Sequence, residues 1–196
     1  MGYWKGWKMY ELIVLTLLMQ GSAHGYLVIK VINDIIGPYT KVSNGRLYPL
    51  LTKLEAEGFI EASDEGPSEQ VGGRHLRSFQ ITEAGRKRFH ELMMNTISNS
   101  GDYQKLFLYK VQGMEFLQSS ERLFLLDHYI NFCQSHVLYL TARAEEIERR
   151  VDQETPRMSS IRMKATLNLI QHVANQWRLE LEWANQMHEE EVDEME

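Results

Sequence analysis

The sequence predicts a mainly α-helical protein with one small β hairpin, and three observations predict it. Three short stretches of helical apolar periodicity come first, two extended segments around a glycine-containing loop follow, and from Leu123 to Val151 apolar side chains recur at alternating spacings of three and four. This order divides the chain into an N-terminal domain over residues 1–95 and a helical domain over residues 96–196.

The chain has 196 residues, 43% hydrophobic and 24% charged, which suits a globular protein of one or two small domains. A net charge of −6 has the wrong sign for binding a polyanion, but it is unevenly spread. Residues 1–95 hold 11 Lys and Arg against 10 Asp and Glu, whereas residues 96–196 hold 10 against 17. The acidity belongs to the second half, where Glu189, Glu190, Glu191, Asp193, Glu194 and Glu196 read as a solvated tail. The single cysteine, Cys133, predicts no internal disulfide and a reducing, cytoplasmic location. Lys5 and Lys8 before the apolar residues 12–19 imitate a leader, but Glu11 interrupts the pattern and the run is too short for a bilayer. Gly6 stands where N-myristoylation needs Ser or Thr, so no membrane anchor is expected.

Helix one is predicted from Trp4 or Trp7 to Met19, ending in a flexible turn at residues 20–23. Helix two starts near His24, carries Tyr26, Leu27, Val31, Ile32 and Ile35, and stops at Gly37 and Pro38. Helix three has Ser43 as N-cap and sets Leu47, Leu50, Leu51 and Leu54 at i, i+3, i+4 and i+7, one stripe for the core. Its other face is Asn44, Gly45, Arg46, Tyr48, Thr52 and Lys53, with Lys41 just ahead of it, and Pro49 predicts a local kink. Residues 59–63 and 76–82 then form a hairpin around Gly66, Pro67, Gly72 and Gly73, carrying Arg74, His75 and Arg77. Thr82 caps a helix to about Met94, with Glu83 in its first turn and Arg86, Lys87 and Arg88 later, as suits the helix dipole.

In the second half one amphipathic helix covers residues 103–118, and Ser120 caps a longer one. Its seam, Leu123, Leu126, Ile130, Cys133, Val137, Leu140, Ala144, Ile147 and Val151, lasts about four heptads, on the order of 45 Å. After a break at residues 152–159, which contain Pro156, a last helix from about Ser160 carries Leu169, Ile170, Val173, Trp177, Leu181, Ala184 and Met187. The short connection makes these two helices antiparallel. Their apolar edges call for a partner, most simply a second copy of the chain under twofold symmetry, with Leu123, Leu126, Ile130, Cys133, Val137, Leu140, Ile147, Ile170, Val173, Trp177 and Leu181 as the dimerisation residues.

Three helices with a polar-faced third, followed by a hairpin bearing arginines, have the order of a winged helix-turn-helix. Such a third helix fits the major groove, where Asn and Arg pair bidentately with adenine or guanine, while wing cations reach phosphates or the adjacent minor groove. The expected partner is therefore double-stranded DNA.

Residues 11–85 resemble the DNA-binding domain of PadR-type transcriptional regulators: "HGY" at residues 24–26, "SNGRLYPLLTKLEAEGFI" at 43–60 and "FQITEAG" at 79–85. The two long C-terminal helices are similar to those of the family's larger members, including its virulence-activator branch. The resemblance implies that Ser43, Asn44, Gly45, Arg46 and Tyr48 face DNA, with Tyr48 a phosphate contact, and that Pro49 is tolerated. In the wing, Leu76 and Arg77 stand where the family usually has Arg-Lys, with Arg74 and His75 earlier. Members mostly repress transcription, some activate it, and several respond to phenolic or drug-like ligands.

Several residues admit a plainer reading. Tyr26 fits a core position as well as a phosphate contact, and His24 reads as a cap or lining at the start of helix two. Cys133 on the seam reads as a small buried hydrophobe. Trp4, Trp7, Trp177 and Trp183 could stack a small aromatic effector or simply pack. The histidines and the cysteine lack metal-site spacing, and no phosphate loop, nucleophile elbow or acid pair is visible, so neither a metal, a cofactor nor an enzymatic activity is expected. The expectation is a regulator, a repressor above all, that binds a pseudo-palindromic operator as a homodimer. The alternative is a protein-interaction module whose winged domain no longer binds DNA.

Overall fold

The structure, a computed structural model, describes residues 7–36, 43–63, 70–71, 74–75, 77–96, 100–151 and 160–195. They form two compact units, Met1–Leu117 and Gln118–Glu196. The first unit thus runs past the expected division at 95/96, because the helix that follows residue 99 packs back on the helix that opens the chain.

In the first unit, α1 (Trp7–Gln20) buries Leu12, Ile13, Val14, Leu15, Thr16 and Leu18, side chains spread around most of its circumference. A helix apolar on nearly every side has to lie in the middle of its unit. Its one buried hydroxyl is satisfied locally, Thr16 Oγ1 donating to the Leu12 carbonyl at 2.8 Å. Where a flexible turn was expected, Ala23 and His24 form a short strand, β1 (Ala23–His24), which leads into α2 (Gly25–Ile36).

Helix α3 (Asn44–Ala56) follows the predicted stripe, with Leu47, Leu50, Leu51 and Leu54 all buried. Ser43 occupies the N-cap with extended backbone, but only its carbonyl takes part, accepting from Leu47 N, and the hydroxyl makes no capping bond. Pro49 lies within the helix without ending it, its ring on the exposed side. The helix closes through Gly58, whose φ of +75° is left-handed: Gly58 N donates to Glu55 O and Phe59 N to Leu54 O, the paired bonds of a glycine C-terminal motif.

That turn feeds β2 (Ile60–Ser63), and the short pair β3 (Gln70–Val71) and β4 (Arg74–His75) stands between it and β5 (Ser78–Ile81). Strand β5 is central in an antiparallel sheet of order β1-β5-β2, with Ala23 opposite Phe79 and Ile60 opposite Ile81. Helix α4 (Glu83–Met94) starts at once. Thr82 caps it by accepting from Gly85 N and also donates to the Gly58 carbonyl. Arg86, Lys87 and Arg88 fall in its first half instead of the last turn, so the dipole does not explain them. Arg88 instead donates to buried Glu11 on α1 at 2.7 Å and to Glu91 at 3.0 Å, and its guanidinium lies 5.9 Å over Phe59.

The helix expected over residues 103–118 is α5 (Ser100–Val111) followed by a 3-10 turn at Met114–Phe116. The break falls at Gly113, where a Cβ would press to 3.1 Å on Met93 Sδ and the Phe89 ring. Tyr103, Phe107 and Lys110 form the buried stripe of α5. Lys110 extends Nζ to the carbonyls of Met93 and Asn95, at 2.6 and 2.7 Å, and so caps the C-terminus of α4 from a neighbouring helix.

The second unit is a helical hairpin of α6 (Ser119–Val151) and α7 (Ser160–Asp193), each about 50 Å long at the usual rise. Their pairings run antiparallel: Arg122 meets Glu191, Asp127 meets His188, and Tyr129 meets Glu180. The residues assigned to a second copy are partly taken up inside the hairpin. Leu126 and Cys133 are buried together with Leu125 and Tyr129, while Leu123, Ile130, Val137, Leu140, Ile147, Ile170, Val173, Trp177 and Leu181 are half-buried. A heptad seam needs a facing helix, and α7 supplies one within the chain. The most exposed apolar side chains are others, Leu138 and Tyr139 on α6 and Ile161, Leu169 and Leu179 on α7. The expected solvated tail is helical to Asp193, with Glu191 buried in a bidentate pair with Arg122. Among the described residues no helix is long and apolar enough to cross a membrane.

Two outcomes are expected. Replacing Gly85 by Ala drives a Cβ into the Phe59 carbonyl and to 2.7 Å from Ile81 Cγ1, and the loss in a denaturant titration should be about 1–3 kcal/mol. Burial pushes the Lys110 ammonium down to about 8 from its usual 10.5. The unfolded chain then holds this proton to higher pH than the native one, so Lys110 makes stability rise between pH 8 and 10.5. Denaturation midpoints at pH 7.5 and 9.5 should rise in the wild type by more than in Lys110→Met, and equal rises would contradict the assignment.

Candidate nucleic-acid interface

The outward face of α3 opens with Ser43 and Gly45 and continues with Tyr48, Pro49 and Thr52, all exposed, then half-exposed Lys53. Ser43, Gly45, Pro49 and Thr52 on this face are open to solvent among the described residues of its unit, because the four leucines take the opposite side. Lys41 lies outside the described residues, as do the side chains of Asn44 and Arg46, the two groups best suited to reading bases.

Gly25 brings three elements together. A Cβ there would sit 3.4 Å from the ring and hydroxyl of Tyr48 and 3.6 Å from Leu51 Cδ1, so the α3 tyrosine lies against the first turn of α2 at ordinary contact distance. Gly25 N also donates to the carbonyl of Arg77 at 3.3 Å, which ties the root of the wing to the same point. Next to it, His24 caps α2 by accepting from Leu27 N on Nδ1 at 3.0 Å, as one of its two expected roles. Its ring lies 6.2 Å from that of Tyr26. Tyr26 is 55% exposed and Tyr48 45%, so neither is a core residue, and both phenols flank the glycine.

The described cations are not bare. Arg77 Nη2 donates to Glu55 Oε1 at 2.6 Å, and its Cζ lies 5.3 Å over the Phe79 ring. Lys53 stands 3.6 Å from Glu57, one turn on along α3. Arg74 and His75 lie on β4 opposite Val71 and Gln70, and their side chains are outside the description. The structure thus gathers Tyr26, Tyr48 and Arg77 near one glycine, and strings Ser43, Gly45, Thr52 and Lys53 along α3. Two participants escaped the sequence reading. Lys30 is exposed one turn after Tyr26, a relation its i, i+4 spacing already carried, whereas Glu55 could be found only from the fold.

Of the four tryptophans that could stack an aromatic effector, the side chains of Trp177 and Trp183 are described. Trp4 and the side chain of Trp7 lie outside the described residues. In the second unit Trp177 stacks on His136 with ring centroids 4.1 Å apart and planes 4° from parallel, and Trp183 stands edge-on to Tyr129 at 6.4 Å. Both contacts join α6 to α7. Burial raises the Cys133 thiol to about 12, which leaves it protonated and inert near neutrality.

A search of curated proteins finds no match. Among solved structures, the chain is similar to a transcriptional regulator from Clostridium thermocellum, with 23% identity over 41% of this chain and 75% of that one and a TM-score of 0.35. It is similar to Bacillus subtilis PadR in complex with operator DNA, at 16% identity over 92% and 98% of the two chains with a TM-score of 0.38. It is also similar to a PadR-like regulator from Bacillus cereus, at 18% identity over 94% and 99% with a TM-score of 0.35. The profile of the Transcriptional regulator PadR-like family matches residues 14–91, which run from α1 through α3 and the wing into α4. Over those residues the chain is similar to the Transcriptional regulator PadR-like family.

Proposed function

We propose that this protein is a sequence-specific DNA-binding transcription regulator, a repressor acting in the cytoplasm, that binds a pseudo-palindromic operator as a homodimer. The observation that carries the reading is the solvent-exposed polar face of α3, set beside the exposed phenols of Tyr26 and Tyr48 and the guanidinium at the wing root. In this reading Asn44 and Arg46 meet base edges, and Tyr26, Tyr48, Lys53 and the wing residues Arg74, His75 and Arg77 meet the sugar-phosphate backbone. Residues 1–95 carry DNA contact and residues 96–196 carry dimerisation. Leu138, Tyr139, Ile161, Leu169 and Leu179 support dimerisation, since an apolar surface on two long helices is what a second copy covers.

The protein-interaction reading has one observation in its favour, that Lys53 and Arg77 each have a carboxylate beside them. A gel shift against pooled genomic fragments at two salt concentrations separates the two, and the absence of any salt-sensitive shift would favour interaction alone. An effector site at Trp4, Trp7, Trp177 and Trp183 is the finest part of the proposal, and the aromatic cluster in which Trp177 meets Phe132 and His136 supports it. A titration of small aromatic compounds followed by tryptophan fluorescence tests it, and a flat response across the set removes it.

For the DNA reading, Asn44→Ala or Arg46→Ala should cost about 1–3 kcal/mol of discrimination between a selected site and its point variants, measured by competition binding. Light scattering of the full chain should give the mass of a dimer, and a monomer at micromolar concentration would remove the twofold operator.

A further inference from the structure

Arg77 is the one wing cation whose side chain is described, and it is held by a single nitrogen to the recognition helix of its own chain. The arginine side chain is 61% exposed, whereas its partner Glu55 is 27% exposed, so the carboxylate sits half-covered at the base while the guanidinium lies open to solvent. The backbone of Arg77 cannot follow its side chain, because its carbonyl accepts from Gly25 N and the next residue, Ser78, pairs with His24 in the sheet. What can move is the side chain alone, pivoting over the Phe79 ring. An exposed, single-nitrogen ion pair is a weak holder, and a phosphate oxygen is a chemically equivalent acceptor for the same guanidinium.

Resting on the DNA-binding reading above, we propose that Glu55 is an internal competitor for Arg77, which it holds in the free protein and yields to a backbone phosphate in the complex. The exchange breaks one charge-assisted hydrogen bond and forms another, and it leaves the Glu55 carboxylate unpaired near the polyanion. That penalty is independent of base sequence. It therefore lowers affinity for every duplex by the same factor and leaves discrimination to the N-terminal half of α3. Lys53 and Glu57, 3.6 Å apart, repeat the pattern more loosely on the same helix.

The test is a double-variant cycle on the full chain, read by fluorescence anisotropy on two labelled duplexes, one carrying a site selected from genomic fragments and one of shuffled sequence, across a salt series. Glu55→Gln should tighten binding to both duplexes by about three- to tenfold. Arg77→Ala should weaken both and lower the salt slope by about 0.9, the share of one phosphate. The double variant should bind as Arg77→Ala does. Weaker binding by Glu55→Gln would overturn the proposal, since Glu55 would then be aiming the arginine. A gain that survives in the double variant would overturn it too, since the carboxylate would then act on DNA directly. Loss of salt-sensitive binding in the wild type itself would instead remove the reading on which the proposal rests.

Discussion

Strand β5 has a partner on each side, and that pairing constrains the whole candidate interface. On one edge it holds β1, the two residues that launch α2; on the other it holds β2, the continuation of α3. A few ladder bonds thereby join the start of one helix, the end of another and the root of the wing. The constraint is tightest at Gly85, where a side chain would not fit. The Tyr48 ring lies against Gly25, and Gly85 lets α4 begin flush against the carbonyl of Phe59. The outward face of α3 therefore keeps a set relation to Arg77 and Tyr26 without any direct bond between those side chains.

Polar groups inside the first unit serve alignment as much as adhesion. Glu11 and Arg88 fasten α1 to α4, and Lys110 closes the open carbonyls at the other end of α4. Each would be costly if left without its partner, because a buried charge or carbonyl deprived of a hydrogen bond loses its hydration with no return. The leucines and aromatics supply bulk attraction, while these few groups single out one arrangement among the many that bulk attraction would permit.

Much of the architecture could be read from the chain alone, and the failures have physical causes. The α3 stripe was legible because four leucines at helical spacing admit one orientation, and Thr82 because a cap followed by Glu83 is a local signal. Strand β1 was not, since two residues carry no periodicity and acquire their conformation from β5. The seam of α6 and its antiparallel neighbour were visible, but which seam positions the neighbour buries was not, because periodicity states that a face must be covered and is silent on how far each residue is. Glu191 read as solvated because its partner Arg122 lies 69 residues away. In the candidate interface, residue types pointed to Tyr48, Thr52 and Lys53, whereas the pairing of Arg77 with Glu55 depends on a contact between elements that no spacing reveals.

The polar clasps of the second unit bear on how its hairpin can vary. Arg122 with Glu191, Asp127 with His188, and Tyr129 with Glu180 lock the two helices at separate points, so a slide of one turn would strand a buried acid and a buried phenol together. Alignment is thus specified by the helices themselves. A change in the number of residues joining the two helices should therefore leave their pairing unchanged.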